Sequence, residues 1–221
     1  YADDVYGYNF ALGTSRLTWD VEAYDDKGKN IGDSGHGTHV AGTVAAVSNN
    51  GVGVSGIAGG TGRNDGVKLM SCQIFSGGEG GSAAVSAEAI KYAADNGASI
   101  LQCSWGYPAG AVTTDNAYAS GARIEKQAID YFIATKNNAV LDGGLVIFAA
   151  GNDAKAMSGY PGAYRDYISV TAFSPDYLPA YYTNYGPGCN VAAPGGDAYI
   201  SPSGSSAAQV LSTSPTASPS K

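Results

Sequence analysis

Two periods of apolar residues run through this chain. In 36–47, Val40, Thr43, Val44 and Val47 recur at three- and four-residue spacing, which predicts an amphipathic helix with one stripe facing a core. The same period returns in 82–96, where Val85, Ala89, Ile90 and Ala93 share a face, Ser82 is placed to cap the helix and Gly97 to stop it. A further helix is predicted over 121–136. Between the helices lie short, nearly unbroken apolar runs at 66–75, 98–103, 145–150, 167–172 and, more briefly, 189–193. Runs of that length, rich in Val and Ile, predict strands, and 145–150 predicts one buried along its whole length. The stretch 66–103 reads strand, helix, strand, a right-handed parallel crossover. The alternation as a whole predicts an α/β fold with a mostly parallel central sheet and helices on both faces.

Composition changes this picture little. The 221 residues suffice for one sizeable domain, and 32 glycines with only 14% charged residues indicate many tight turns. From residue 201 onward the chain is rich in Ser, Pro and Ala. The division expected is therefore a domain over 1–200 and a flexible tail over 201–221. A net charge of −7, with no cluster of basic residues, argues against a nucleic-acid partner. No apolar run approaches the length of a membrane span. Cys72 and Cys103 sit inside apolar runs and, with Cys189, make an odd count that implies no disulfide framework.

The clearest chemistry is in Gly35-His36-Gly37-Thr38-His39-Val40-Ala41-Gly42-Thr43. An imidazole in the first turn of a helix, flanked by bare glycines, can move a proton on a substrate lying close to the backbone. Asp33 or Ser34 is placed to cap that helix. His39, three residues on, reads as a locally satisfied histidine. A metal pair of His36 with His39 lacks a second cluster of ligands, so no metal site is assigned. A second feature is Ala149-Ala150-Gly151-Asn152, which sets a carboxamide donor at a strand end. Ligands gather at the carboxyl ends of parallel strands, and a fixed N–H donor there suits a developing oxyanion.

These motifs resemble those of the subtilisin-like serine proteases, the subtilases. The resemblance implies that His36 is the general base and Asn152 the side-chain donor of the oxyanion hole. It extends in family order. Gly80 and Gly81, after Glu79, match one glycine-rich edge of the substrate cleft. Ser104, Trp105 and Gly106 match the opposite edge, with Trp105 in place of a small aliphatic. Gly159, before Tyr160-Pro161-Gly162, matches the floor of the primary specificity pocket, and 191–195 matches a strand–Pro–Gly junction. The implied substrate is a polypeptide bound as an extended strand. The implied location is secreted or at the cell surface, and the oligomeric state is left open.

The pattern breaks in two places. The triad runs Asp, His, Ser in this family. Asp33-Ser34-Gly35 mimics the aspartate motif but adjoins His36, so it cannot be the separate strand-end Asp. Gly204-Ser205-Ser206-Ala207 is the only candidate nucleophile motif, and Pro215 follows within two turns. Aligning 210–215 with the segment that precedes the nucleophile instead makes 196–209 a loop insertion. The expectation is a central part of a subtilase catalytic domain, inactive by itself, with the triad Asp and Ser outside it. A non-catalytic peptide-binding relative is the alternative. No cofactor is required. The stretch 52–58 resembles a calcium-holding loop of the family, but the loop is one residue longer and lacks the completing carboxylate. It reads here as an Asn-Gly turn, leaving a structural calcium open for the longer protein.

Overall fold

The computed structural model describes residues 7–19, 22, 24–29, 32, 35–77, 79–200 and 208–215; the side chains of 79 and 80 are outside that description. Asp33, Ser34, Ser206 and most of the expected tail lie outside the described residues. The fold is α/β, with two parallel sheets and one antiparallel pair of short strands. The chain divides into two compact units, Tyr1–Asn96 with Leu211–Lys221, and Gly97–Val210.

In the first unit, β1 (Tyr8–Asn9) runs parallel to β2 (Cys72–Gln73). The helix α1 (His36–Ala45) lies between them in sequence. The predicted strand over 66–75 is realised only in part. After β2 the chain turns into β3 (Phe75–Ser76), which pairs antiparallel with β4 (Glu79–Gly80). Gly77 at φ 57° makes that turn possible, and the two short strands form a hairpin. α2 (Ala83–Asp95) starts where expected: Ser82 Oγ accepts the Val85 N–H at 3.2 Å. It buries Ala87, Ala89, Ile90, Ala93 and Ala94, while Val85 stays half-exposed.

The second unit holds a four-stranded parallel sheet in the order β5 (Ile100–Cys103), β6 (Leu145–Ala149), β7 (Ile168–Phe173), β8 (Val191–Pro194). The crossover from β5 to β6 carries α3 (Asp115–Gly121) and α4 (Arg123–Ala134). Only α4 was expected; α3 is a short helix begun by Thr114, whose Oγ1 accepts the Ala117 N–H at 3.1 Å. The helix α4 packs on β6 and buries Ile129 and Phe132. At the two ends of the stretch 66–103, β2 pairs with β1 and β5 with β6.

One further expectation fails. β6 is not buried along its length. Val146 and Phe148 point into the core while Leu145 and Ala149 are exposed, so the strand alternates as any pleated strand covered on one face must.

Candidate active site

His36 is the first residue of α1 and its side chain is exposed. Gly35 occupies the N-cap position and makes no side-chain cap, so the helix start is left to the backbone: His39 N–H reaches Gly35 O at 2.9 Å. The buried face of α1 differs from the expected stripe. Val40, Thr43, Val44 and Val47 are half-exposed, and the buried residues are Gly42 and Ala45. The reason is a close backbone approach. A Cβ on Gly42 would strike Thr213 Oγ1 and Ser212 Oγ and would lie 2.8 Å from Thr213 N.

Ser212 Oγ donates to His39 O at 2.6 Å and Thr213 Oγ1 to Thr38 O at 2.7 Å. A Cβ on Gly35 would sit 2.8 Å from Pro215 Cδ. Residues 212–215, assigned by composition to the tail, thus lie along the first two turns of the histidine helix. At the other end, Ile57 N–H and Ala58 N–H satisfy Thr43 O and Val44 O at 3.0 and 2.9 Å. The neighbouring turn is closed by Val52 N–H on Asn50 Oδ1 at 3.0 Å, an Asx turn. Among the described residues no three His, Cys, Asp or Glu side chains are grouped to hold a metal. Gly80 and Gly81 lie in the same unit as His36. Gly80 pairs with Phe75, and Gly81 donates its N–H to Ile74 O at 2.8 Å.

In the second unit, three stretches far apart in sequence meet at the carboxyl ends of β5 and β6. Ser104, Trp105 and Gly106 follow β5. Ser104 Oγ accepts from Gln102 Nε2 at 2.8 Å, and the Trp105 ring meets Phe148 edge-on at 5.4 Å. The indole is therefore anchored on the core ring of β6, a contact unavailable to a small aliphatic. Gly106 faces Tyr160: a Cβ there would be 3.0 Å from Tyr160 O, and the next amide, Tyr107 N–H, donates to that oxygen at 2.7 Å. Gly159 donates to Ala150 O at 2.7 Å, and its own Cβ would be 2.6 Å from Tyr107 O. Any side chain at 159 would push these walls apart.

Asn152 follows the end of β6. It is exposed, and its carboxamide has no hydrogen-bond partner among the described residues. Its neighbours are tightly held. Asp153 Oδ2 accepts Ala109 N–H at 3.0 Å, tying the loop to the stretch after β5. That amide, and then the Asn184 side chain, hold the Asp153 carboxyl below the usual range.

Behind this rim lies a carboxylate that no motif along the chain singles out. Glu125, on α4, is buried, and its Oε1 accepts from Tyr107 at 3.2 Å and Tyr118 at 3.1 Å. Burial, then the charge of Glu125, pushes the Tyr107 phenol up to about 12, and the same two causes raise Tyr118. Asn184 carries no such signal either. Asn before Tyr-Gly reads as one more turn residue, and only the fold brings it behind Asn152.

A model of the subtilase family matches residues 10–220. The chain belongs to the subtilase family. Among curated subtilases it is 34% identical over 165 residues to halolysin of Haloferax mediterranei, covering 75% of this chain and 27% of halolysin. It is 30% identical over 181 residues to subtilisin Savinase of Lederbergia lenta, covering 82% of this chain and 58% of that protein. The chain thus spans between about a quarter and three-fifths of the length of these two relatives. A solved protease structure from Pseudoalteromonas arctica superposes with a TM-score of 0.64 at 25% identity, over 96% of this chain and 65% of the other. No helix among the described residues of this subtilase chain is long and apolar enough to cross a membrane.

Proposed function

We propose that this chain is the part of a subtilisin-like serine endopeptidase that supplies the general base, His36, and the oxyanion donor, Asn152. The observation that carries the reading is Asn152: an exposed carboxamide with no hydrogen-bond partner among the described residues, on a tightly braced loop at the carboxyl end of a central parallel strand. A donor held still and left unbonded costs no reorganisation when charge develops on a substrate oxygen. His36, exposed at a helix start, takes the proton of a serine hydroxyl as that oxygen attacks the scissile carbonyl, then returns it to the leaving amine. The serine and the carboxylate that orients His36 are contributed by the protein that carries this chain. The substrate is a polypeptide in extended form; Gly80 and Gly81 of the first unit, and Ser104, Trp105, Gly106 and Gly159 of the second, are the residues assigned to bind it. These steps use side chains and backbone amides alone. On family resemblance the protein works outside the cell.

Two measurements test this. In the full-length protein, His36→Ala lowers hydrolysis of a casein-type substrate by at least about four orders of magnitude. The 221-residue chain alone takes up no active-site serine label. Stoichiometric labelling of Ser206 in that chain, or an active His36→Ala protein, would overturn the reading.

A further inference from the structure

Asn184 is fully buried in the loop between β7 and β8, and every hydrogen-bonding position of its carboxamide is used. Its Oδ1 accepts Asp153 N–H at 3.0 Å and Lys155 N–H at 3.1 Å. Its Nδ2 donates to Ala150 O at 2.9 Å and to Asp153 Oδ2 at 3.2 Å. Its main-chain N–H donates to Gly151 O at 3.0 Å. One residue therefore bonds to 150, 151, 153 and 155, on both flanks of Asn152, and leaves Asn152 itself untouched.

The fit is close. Gly151 stands at φ 109°, and a Cβ there would strike Asn184 Nδ2, so glycine is required both by the backbone conformation and by the brace. Asn184 is in turn fixed to the sheet. Thr171 on β7 donates its hydroxyl to Asn184 O, and Thr183 Oγ1 accepts Ala172 N–H at 2.8 Å. The chain of contacts runs from a strand of the sheet, through one saturated amide, to the loop that presents the donor.

We infer that Asn184 is a positioning residue for the oxyanion donor: it fixes the Ala150–Lys155 backbone so that the Asn152 amide is held at one place before substrate arrives. The inference rests on the reading of Asn152 given above. Losing the brace lets the donor wander by a fraction of an ångström to an ångström. That weakens a bond made only in the transition state, so kcat falls while KM holds.

The test is a double-mutant cycle in the full-length protein with a chromogenic peptide substrate. Asn152→Ala is expected to lose about 100- to 1000-fold in kcat, the range known for removal of such a donor from subtilisin itself. Asn184→Ala is expected to lose about 10- to 100-fold in kcat with KM within about twofold. In the Asn152→Ala background the same substitution costs under about threefold, because there is no donor left to position. Asn184→Ser, a smaller hydroxyl side chain that sets no charge against Asp153, serves if the alanine variant does not fold; its kcat loss must also vanish in the Asn152→Ala background. A merely structural role lowers the melting temperature equally in both backgrounds and leaves no such non-additivity. Losses that multiply, a loss expressed in KM, or unchanged kcat in both Asn184 variants would overturn the positioning role. An unchanged kcat in Asn152→Ala instead removes the oxyanion reading, and the inference with it, and is recognised because a different variant reports it.

Discussion

In the unit that carries His36, the described buried apolar side chains are small: Ala45, Ala46, Ala87, Ala89, Ala93 and Ala94, with Ile74 and Ile90 the larger ones. In the unit that carries Asn152 they include Tyr118, Ile129, Phe132, Val146, Phe148, Tyr160 and Tyr167. The first unit has one ring cluster, Tyr8, Phe10 and Tyr92, but its rings are half-buried, and the surroundings of α1 close backbone on backbone. Residues 56–58 bond directly to the end of α1, and 212–213 to its start. The second closes ring on ring, Phe148 lying 5.4 Å from Trp105 and 5.8 Å from Tyr167. The difference teaches where each half is vulnerable. A unit packed through its backbone has no room for an added methyl. One packed through aromatic rings cannot lose a ring without a cavity.

The largest expected effect tests the second half of that contrast. Phe148→Ala removes a fully buried ring from the centre of the sheet and should destabilise the chain by about 3–5 kcal/mol, read as a lower denaturant midpoint. A shift under about 1 kcal/mol would mean that the rings are not what holds this unit. Gly59→Ala tests the first half. Its Cβ would collide with Ala46 O and lie 2.6 Å from Ala46 C, both backbone atoms that cannot swing away. A loss of about 1–3 kcal/mol is expected, from adding one methyl group; an unchanged midpoint would break the comparison.

The tyrosines sharpen it further. Because the folded pKa of Tyr107 is raised, to about 12, the neutral phenol is favoured by folding. Its contribution is fully present below the ordinary value near 10 and is lost as pH rises through about 12. Folded protein should therefore show a late tyrosinate phase in an ultraviolet titration. Glu125→Gln should move that phase downward, since a neutral amide no longer opposes the phenolate. Titration of all 16 tyrosines near 10 in the folded chain would contradict this.

Smaller effects belong to the helix ends. Thr114→Ala removes the cap of α3 and should cost about 1 kcal/mol. Smallest of all is Lys91→Ala on α2. Its i,i+4 pair with Asp95 is solvent-exposed, and its loss should stay within about 0.5 kcal/mol by the same midpoint measurement.

Periodicity alone determined the helices at 36–45, 83–95 and 123–134 and the four strands of the parallel sheet, each within a few residues, because amphipathic spacing and apolar runs are local properties of a chain. The motifs around His36 and Asn152 were equally legible, since a reactive group needs particular neighbours in sequence. Only the tertiary structure decided which face of α1 is buried. Val40 and Val44 outrank Gly42 in hydrophobicity, yet Gly42 is the one position that admits the 212–213 backbone. Only the structure, too, turned Asn184 from a turn residue into a brace for residues 150–155, and made Glu125 the shared acceptor of Tyr107 and Tyr118. Hydrogen bonds between residues 18 to 34 positions apart leave no periodic trace along the chain; they exist only once the sheet has set the ends of its strands side by side.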